Sequence, residues 1–556
     1  MNFFTTGRAG SRVVLAAVLV TAASLAAAAQ RPTSAVPADP DEKTIVHVLN
    51  RIGFGPSPGQ VDHVRKMGLR AYIEQQLTPA RIEDAAMAER LAEFKTLHLT
   101  TRELAAQYYL PAIQARRAVQ AANNDAMARG GSGTAMMAGE KPVRGEPTAA
   151  MQGERAVMAE LTQQKLLRAA YSERQLDEVM VDFWFNHFNV FAGKRQTRIY
   201  LTEYERDTIR PHALGTFREL LGAVAESPAM LFYLDNWQST AAVEAETMEM
   251  PRRRPAMGGQ SQRPAQQNRR RRGINENYAR ELMELHTLGV TGGYSQKDVQ
   301  EIARAFTGWT IDTPRRGGGF RFDPRMHDDG EKTVLGVTIP RGGGRRDGES
   351  VLDILAKHPS TARFIATKLA RRFVADDPPK AVVDRAAARF QATNGDIREV
   401  VRTIVTSPEF YAASAYRAKV KTPLEFVTSA VRASGLDVRN ALPLIQAMRE
   451  MGMPLYMCQP PTGYADKAEA WVNTGALLSR MNFAVMLASG ERLQRGGPGN
   501  RAGTDIRVAN RITQAQIAEQ VLAGDLSENT RLTIAKATTE PQKIALLLGS
   551  PDFQKR

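Results

Sequence analysis

Apolar residues recur every three or four positions along most of the chain, and this spacing limits the possible folds more than any other feature. In the segment 360–373, Ala362, Ile365, Leu369 and Phe373 fall on one side of a helix, and arginines cover the other side. This pattern is typical of an amphipathic helix that buries one face. We therefore predict an all-α protein built of many helices.

One stretch, near residues 308–340, has a different pattern. Residues 309–312 and 319–323 alternate in polarity around a turn rich in arginine and glycine, and residues 333–339 are rich in β-branched side chains. Alternation with a period of two and β-branched residues both favour strands. We predict a small antiparallel β-hairpin or sheet inserted into the helical protein.

The first 29 residues have the order of a secretory signal peptide. Arg8 and Arg12 precede the apolar stretch 13–20, and alanines occupy positions 27–29, where cleavage requires small residues. The apolar stretch is shorter than the roughly 20 residues that span a bilayer. We expect cleavage before Gln30 and an exported protein, either periplasmic or extracellular, whose mature chain has no membrane span.

Cysteine use constrains how the fold is stabilised. Cys458 is the only cysteine, so neither an intramolecular disulfide nor a lipid anchor next to the cleavage point is expected. Stability must then come from burial of apolar side chains. A chain of 556 residues is long enough for two or more cores, because single cores stop growing near roughly 250 to 300 residues.

The net charge is +15, and eight of these fifteen excess positive charges lie in one stretch. Residues 251–273 hold eight arginines and no acidic residue, and the rest of the chain has an ordinary mixture of charges. This stretch has no apolar periodicity, so we predict a disordered loop. The loop is either a solvated insertion or a contact for an anionic envelope polymer, lipid or DNA. We expect no specific nucleic-acid partner.

Three low-complexity stretches divide the chain. We expect, in order, a signal peptide (1–29), an N-terminal helical part (30–120), a low-complexity linker (121–155), a helical core (156–250), the Arg-rich loop (251–273), a further helical core with the β insert (274–492), a Gly-rich loop (493–503) and C-terminal helices (504–556).

A short pattern recurs at residues 220–230, 400–410 and 544–553, where an apolar helix is followed by Ser-Pro. Serine is suited to cap the next helix, and proline is suited to its first position. We predict a helix-turn-helix junction at each.

Several long motifs resemble a known family. They lie at residues 275–290, 294–299, 303–309, 327–336, 358–365, 462–464 and 470–475, with further landmarks at 51–55 and 183–188. Together they resemble the bacterial family catalogued as domain of unknown function 1800. The resemblance implies an exported, largely helical protein of unassigned biochemistry. It also implies a partner in a shared envelope pathway, a protein resembling secreted sulfatases or phosphatases.

The longest motif carries a pair of carboxylates. Asn275 can cap its helix and Gly289 can end it, and at 100 degrees per residue Arg280, Glu281 and Glu284 share one face. Glu281 and Glu284 could then act as acid and base or ligate a metal. Alternatively, Arg280 and Glu284 form an ordinary ion pair at the i,i+4 spacing.

The aromatic segment 183–191 contains the best candidate for a functional histidine. We predict that it is a buried helix that ends near Gly193. His187, flanked by asparagines, must have a partner there, because an unpaired buried polar group costs about 1 to 3 kcal/mol. The partner could be a metal or a carboxylate such as Glu281. His286 lies with apolar residues and is interpreted as a core histidine.

His327, Asp328 and Asp329 precede a glycine on a loop between the predicted strands. Histidine and aspartate together suit zinc, manganese or iron, so these residues are candidate metal ligands with His187. The alternative is an Asp-Gly turn whose side chains bind its own backbone amides.

Two classes of function remain open. The chain has no metalloprotease, phosphate-loop, nucleophile-elbow or dinucleotide motif. One class is a metal-assisted hydrolase of the envelope with a divalent metal as cofactor, built from His187, Glu281, Glu284, His327 and Asp328 or Asp329. The other is a binding or assembly protein of the envelope. We favour binding or assembly, because spacing alone names no complete catalytic group.

Overall fold

Helices make up most of the structure, a computed structural model that describes residues 35–130, 148–194, 196–241, 273–489, 506–507 and 513–556. The first twelve are α1 (Glu42–Ile52), α2 (Gln60–Met67), α3 (Leu69–Gln76), α4 (Ala85–Leu91), α5 (Thr101–Leu104), α6 (Leu110–Gly130), α7 (Ala149–Tyr171), α8 (Gln175–His187), α9 (Leu201–Glu203), α10 (Phe217–Glu226), α11 (Pro228–Tyr233) and α12 (Glu276–Glu281). The others are α13 (Gln296–Ala305), α14 (Arg345–Lys357), α15 (Pro359–Phe373), α16 (Lys380–Ala392), α17 (Ile397–Val405), α18 (Pro423–Ser434), α19 (Leu442–Glu450), α20 (Thr474–Ser489), α21 (Gln514–Leu522), α22 (Glu528–Ala535), α23 (Glu540–Leu548) and α24 (Pro551–Gln554). The predicted all-α class is confirmed.

The β insert is confirmed and consists of two separate antiparallel hairpins. Strand β1 (Trp309–Ile311) pairs with β2 (Phe320–Phe322), and β3 (Lys332–Val334) pairs with β4 (Val337–Ile339). A third antiparallel pair, between β5 (Asp437–Val438) and β6 (Ile506–Arg507), was not predicted.

The described helices share one large apolar core. It includes fully buried side chains from α1, α8, α15 and α18, and a small second cluster forms around Leu104, Tyr109 and Val157. The expected division into two or more large cores is therefore not what the described residues show. Long-range packing joins the parts of the chain, from Ala35 to Arg556, in one compact unit.

Helices occupy both ends of the predicted low-complexity linker at residues 121–155. Helix α6 continues to Gly130 and α7 begins at Ala149, capped by the side chain of Thr148. The reason is that alanine, methionine and glutamine, which make this stretch low in complexity, are also good helix formers. Residues 131–147 lie outside the described residues.

The predicted Ser-Pro junctions hold in two of three cases. Ser227 and Ser550 cap helices in which proline is the first residue. After Ser407 the chain instead forms turns. The buried Phe410 explains this difference, since its carbonyl accepts a hydrogen bond from His47 at 2.9 Å and holds the chain in place.

Among the described helices, none has the length and apolar character that crossing a membrane requires. The predicted signal peptide at 1–29, the Arg-rich loop up to residue 272 and the Gly-rich loop at 493–503 lie outside the described residues.

Candidate functional site

Helix α8 contains the aromatic segment only as far as His187, where it ends, six residues earlier than predicted. Two tertiary contacts stop it there. The Tyr204 hydroxyl donates to the Phe188 carbonyl at 2.7 Å, and the Asn189 amide donates to the carbonyls of Cys458 and Pro460 at 2.9 and 2.8 Å. The end of the helix is therefore fixed against a distant part of the chain.

A cleft of about 270 Å³ opens beside this helix end. Helix α8, helix α15 and the loop 462–467 line it. Its polar side chains include Asp182, Asn186 and His187 from α8, Lys368, Arg371 and Arg372 from α15, and Tyr464, Asp466 and Lys467 from the loop.

The loop is clamped to α8 by a side chain that imitates a peptide group. The Asn186 amide nitrogen donates to the Tyr464 carbonyl at 2.7 Å, and its oxygen accepts from the Tyr464 amide at 2.7 Å. Gly463 has a φ of 73°, and a Cβ added there would lie 2.1 Å from the Asn186 carbonyl oxygen. The clamp therefore requires glycine at this position.

Both ring nitrogens of His187 have protein partners. Nε2 lies 3.0 Å from the His286 carbonyl, which can only accept, so Nε2 carries the hydrogen. Nδ1 then accepts from Lys368 Nζ at 2.7 Å. Burial holds the pKa of His187 well below its ordinary value, and the charge of Lys368 lowers it further. His187 is therefore a neutral acceptor.

Lys368 is an unusual lysine. Burial lowers its pKa to about 8, Asp466 opposes that shift and Arg371 adds to it. Among the described residues, no carboxylate lies within ion-pair distance of its amine; its hydrogen-bond partner is His187. An ammonium group in this position lacks the neutralising partner that buried charges normally have.

Arg372 presents donors that the described residues leave unused. The residue is 5% exposed, and its Nη1 donates to Glu425. Nε and Nη2 are buried with no hydrogen-bond partner among the described residues. Arg556 also binds Glu425, at 3.0 Å, so this carboxylate is shared by two arginines.

The carboxylates of the cleft are already engaged by other lysines. Asp182 lies 3.0 Å from Lys165 Nζ, and Asp466 lies 3.0 Å from Lys419 Nζ. In the described chain they make no hydrogen bond to Lys368 or Arg372, although the charge of Asp466 acts on both. The lining has four basic side chains and two carboxylates, and this excess of positive charge favours an anionic ligand.

The predicted carboxylate pair, Glu281 and Glu284, lies where an α-helix changes to a π-helix. Asn275 caps α12 as expected, but the helix continues as a π-helix from Leu282 to Thr287, so the 100-degree spacing does not hold across the motif. Burial raises the pKa of Glu281, and the charge of Glu284 adds to the rise. Glu281 is not the partner of His187, which was one of the two expectations.

The alternative for this motif, an ion pair between Arg280 and Glu284, is also absent from the described ion pairs. Arg280 donates to Gln296 at 3.0 Å, and Glu284 accepts from the Tyr294 hydroxyl at 3.3 Å. His286 is buried as interpreted, and burial lowers its pKa to about 3.

The His-Asp loop has its own partners. His327 Nδ1 donates to the Thr307 carbonyl at 2.8 Å, and Nε2 lies 3.2 Å from Asp347. Asp328 binds Arg304 and accepts from the Gly330 amide, the turn that was the alternative interpretation, and Asp329 is exposed.

No contact joins this loop to His187 in the described part of the chain. Nor do any three His, Cys, Asp or Glu side chains there form a group that could hold a metal ion. The roles assigned to Glu281, Glu284, His187, His327, Asp328 and Asp329 remain predictions.

Sequence patterns did not reveal the cationic side of the cleft. Lys368, Arg371 and Arg372 belong to the polar face of α15, which the helical pattern assigns to solvent. Their function as cleft residues depends on contacts with α8, which lies 181 residues away along the chain at the Lys368–His187 bond. The sequence pattern around these residues does not indicate such a long-range contact.

Comparison with known proteins gives one result. The family described as "Protein of unknown function (DUF1800)" matches residues 47–555, nearly the whole chain. Neither the curated proteins nor the solved structures gave a match. The chain thus belongs to the DUF1800 family, the family that its sequence motifs resemble.

Proposed function

We propose that this protein is an exported binding protein whose cleft takes up a small anionic ligand or the anionic group of a larger one. The unused donors of Arg372 are the observation that carries the proposal. A buried donor without a partner costs about 1 to 3 kcal/mol, and more when it is charged. An oxyanion bound by Nε and Nη2 would remove that cost, because guanidinium groups bind carboxylates, phosphates and sulfates through paired hydrogen bonds.

Lys368 strengthens the case for an anion. Its amine lines the same cleft and has no carboxylate partner among the described residues. Arg371 lines the cleft as well, although its Nε is occupied by the Asp376 carbonyl at 2.8 Å. Three cationic side chains on one helix thus face a cleft whose carboxylates are bound elsewhere.

The alternative function, a metal-assisted hydrolase, has less support. It needs His187, the two glutamates and the His-Asp loop to converge on one point. In the described chain these residues have separate partners, and both nitrogens of His187 are engaged.

Export and partners belong to the same proposal. The arginines, apolar stretch and alanines of residues 1–29 support export to the periplasm or beyond. The Arg-rich loop, which lies outside the described residues, supports contact with an anionic envelope polymer through its charge. The family resemblance supports a sulfatase- or phosphatase-like partner in the same pathway.

Anion-dependent stabilisation tests the proposal. We expect phosphate, sulfate or acetate to raise the melting temperature of the mature protein in a saturable way at constant ionic strength, because a ligand that binds only the folded state stabilises it. Arg372→Gln should weaken the binding of whichever anion stabilises the protein by at least about tenfold, since it removes a charged, paired donor. Glu425 keeps Arg556 as a partner in this variant.

The controls separate the cleft from general salt effects, which also stabilise proteins. Arg363→Gln makes the same change on α15, but Arg363 is exposed and pairs with Asp384 outside the cleft. If Arg372→Gln unfolds, Arg371→Gln is the second variant. The proposal fails if no anion gives a saturable shift, or if the cleft variants respond like Arg363→Gln.

A further inference from the structure

We propose that the Lys368 amine is a nucleophile that forms an imine with the carbonyl carbon of an anionic aldehyde or keto acid held in the cleft. This inference rests on the proposed function, because the anionic group is what brings the carbonyl compound to the amine. It adds a covalent reaction to the binding role.

The hydrogen bond to His187 orients the amine for attack. His187 Nε2–H donates to a carbonyl, so Nδ1 is fixed as an acceptor. Lys368 Nζ, 2.7 Å away, must donate an N–H to it. A neutral amine that donates one N–H in this way keeps its lone pair available to a ligand in the cleft.

Other buried lysines in the described chain show how Lys368 differs. Lys165, Lys332 and Lys419 each have a carboxylate oxygen within 3.0 Å of the amine. Lys368 has a neutral imidazole instead. Lys421 is also buried without such a close carboxylate and donates to Ser429, but it does not line the cleft.

The charged and titratable groups around Lys368 favour the neutral amine. Burial lowers its pKa to about 8, and Arg371 lowers it further, while Asp466 acts in the opposite direction. His187 and His286 face it as neutral rings with lowered pKa values. Desolvation and a neighbouring cation are the two influences that activate lysine nucleophiles.

The reaction balances without any additional reactant. The amine lone pair attacks the carbonyl carbon, the C–N bond forms, and the carbonyl oxygen becomes the hydroxyl of a carbinolamine. Two protons leave the nitrogen and reach that oxygen through solvent water, while His187, whose ring stays neutral, orients the amine for the attack. Water leaves as the C=N bond forms, so a carbonyl and an amine give an imine and one water molecule.

Arg372 supplies the selectivity for an anionic carbonyl compound. Arg372 lines the cleft with Lys368, one helical turn away on α15, and its buried Nε and Nη2 have no partner in the described chain; a carboxylate or phosphate that reached them would place the carbonyl carbon of its compound near Lys368. The cleft volume of about 270 Å³ suits a compound of a few carbon atoms, since pockets for drug-sized ligands begin near about 300 Å³.

Reductive trapping with a matched pair of probes tests the inference. Glyoxylate and acetaldehyde both have two carbons and an aldehyde, but only glyoxylate carries a carboxylate. The mature protein is incubated with limiting amounts of each at pH 8 with cyanoborohydride, and peptide mass spectrometry locates the modified lysines. We expect glyoxylate to label Lys368 at least about tenfold faster than exposed Lys66, because about half of an amine with a pKa of about 8 is neutral at pH 8, against under about 1% for an ordinary lysine.

Three comparisons make the result specific. With acetaldehyde, Lys368 should be labelled little faster than Lys66. In the Arg372→Gln variant, glyoxylate should likewise lose its preference for Lys368, whereas labelling by acetaldehyde should not change. Lys421, buried outside the cleft, should remain unlabelled by either probe. Equal labelling of Lys368 and Lys66 by glyoxylate overturns the imine inference. If anions still stabilise the protein through Arg372, the proposed binding function survives; if they do not, both proposals fail.

Discussion

Lys368 shows how burial and partner choice set the chemistry of a single residue. An ordinary lysine ammonium is strongly solvated, and a buried one normally keeps its charge through a carboxylate. Lys368 has the imidazole of His187 at 2.7 Å instead, and burial lowers its pKa to about 8 from 10.5. Because the folded-state pKa lies below that of the unfolded chain, folding penalises the ammonium form.

This penalty predicts the pH dependence of a substitution. The penalty is complete below pH 8, decreases as the pH rises from about 8 to 10.5, and is gone above that range. Lys368→Met removes it. The free energy of unfolding of the variant, minus that of the native protein, should therefore fall by on the order of 1 to 3 kcal/mol between pH 7 and pH 10.

Urea unfolding at the two pH values measures the difference. Lys66→Met, at an exposed position, is the matched control and should show no such change. A difference for Lys368→Met that is the same at pH 7 and pH 10 would contradict the account.

Prediction from sequence was partly successful at this scale. His187 was singled out because a polar ring in an aromatic helix needs a partner, and it does have partners. In the structure its hydrogen-bond partners are the His286 carbonyl and Lys368, not Glu281. A requirement for a partner is visible in local sequence, but the partner's identity depends on tertiary packing.

At the scale of elements, the site depends on how helix α8 is joined to the loop 462–467. Asn186 provides two hydrogen bonds to Tyr464, and Gly463 provides the close approach that these bonds need. The loop carries Asp466 and Lys467 into the cleft. The clamp is therefore a structural requirement of the site.

Alanine substitutions at two glycines distinguish the cost of disturbing the clamp from the cost of backbone strain alone. Gly463 and Gly452 both have positive φ, at 73° and 91°, but an added Cβ at Gly452 meets nothing within 4 Å. Gly452→Ala should cost about 1 to 2 kcal/mol, the usual strain of a left-handed residue. Gly463→Ala adds a clash with the Asn186 carbonyl and should cost about 3 kcal/mol or more.

Chemical denaturation measures both costs, and the anion response measures the effect on the cleft. Gly452→Ala should keep the full response, whereas Gly463→Ala should weaken it. Equal destabilisation by the two substitutions would show that the clamp has no energetic importance.

Most helices could be predicted from sequence, but three details could not. Helix α15, Pro359–Phe373, matches the amphipathic pattern closely. The helical pattern did not indicate the π-helix at Leu282–Thr287 or the turn after Ser407. The early end of α8 coincides with hydrogen bonds to distant segments of the chain. The antiparallel contact between Thr216 and Asp396, the residues that cap α10 and α17, lies four residues before two of the recurring Ser-Pro segments and was likewise not predicted.

At the scale of the whole molecule, positive charge is concentrated in two different regions. The sequence places eight arginines in the segment 251–273, where they are easily noticed. The structure reveals a second concentration that no sequence window contains, because its members come from distant parts of the chain. Buried cations gather near the buried Glu425: Arg51, Arg372, Lys421, Arg480 and Arg556.

This gathering of cations explains why the cleft should attract anions. The charges of Arg556 and Arg372 lower the pKa of Arg51, and that of Arg372 lowers the pKa of Arg556. Each of the three has guanidinium nitrogens without a partner in the described chain. Burial and mutual repulsion hold the pKa of Arg51 well below its ordinary value. An anion beside Arg372 would relieve part of this repulsion.

A crystal structure of the protein grown with selenate, an anomalously scattering analogue of sulfate, shows whether the cleft binds an oxyanion. We expect an anomalous peak in the cleft within hydrogen-bond distance of Arg372 Nε and Nη2, which have no partner among the described residues. A cleft without selenate, in which both nitrogens are hydrogen-bonded to protein side chains, would contradict the proposed anion binding.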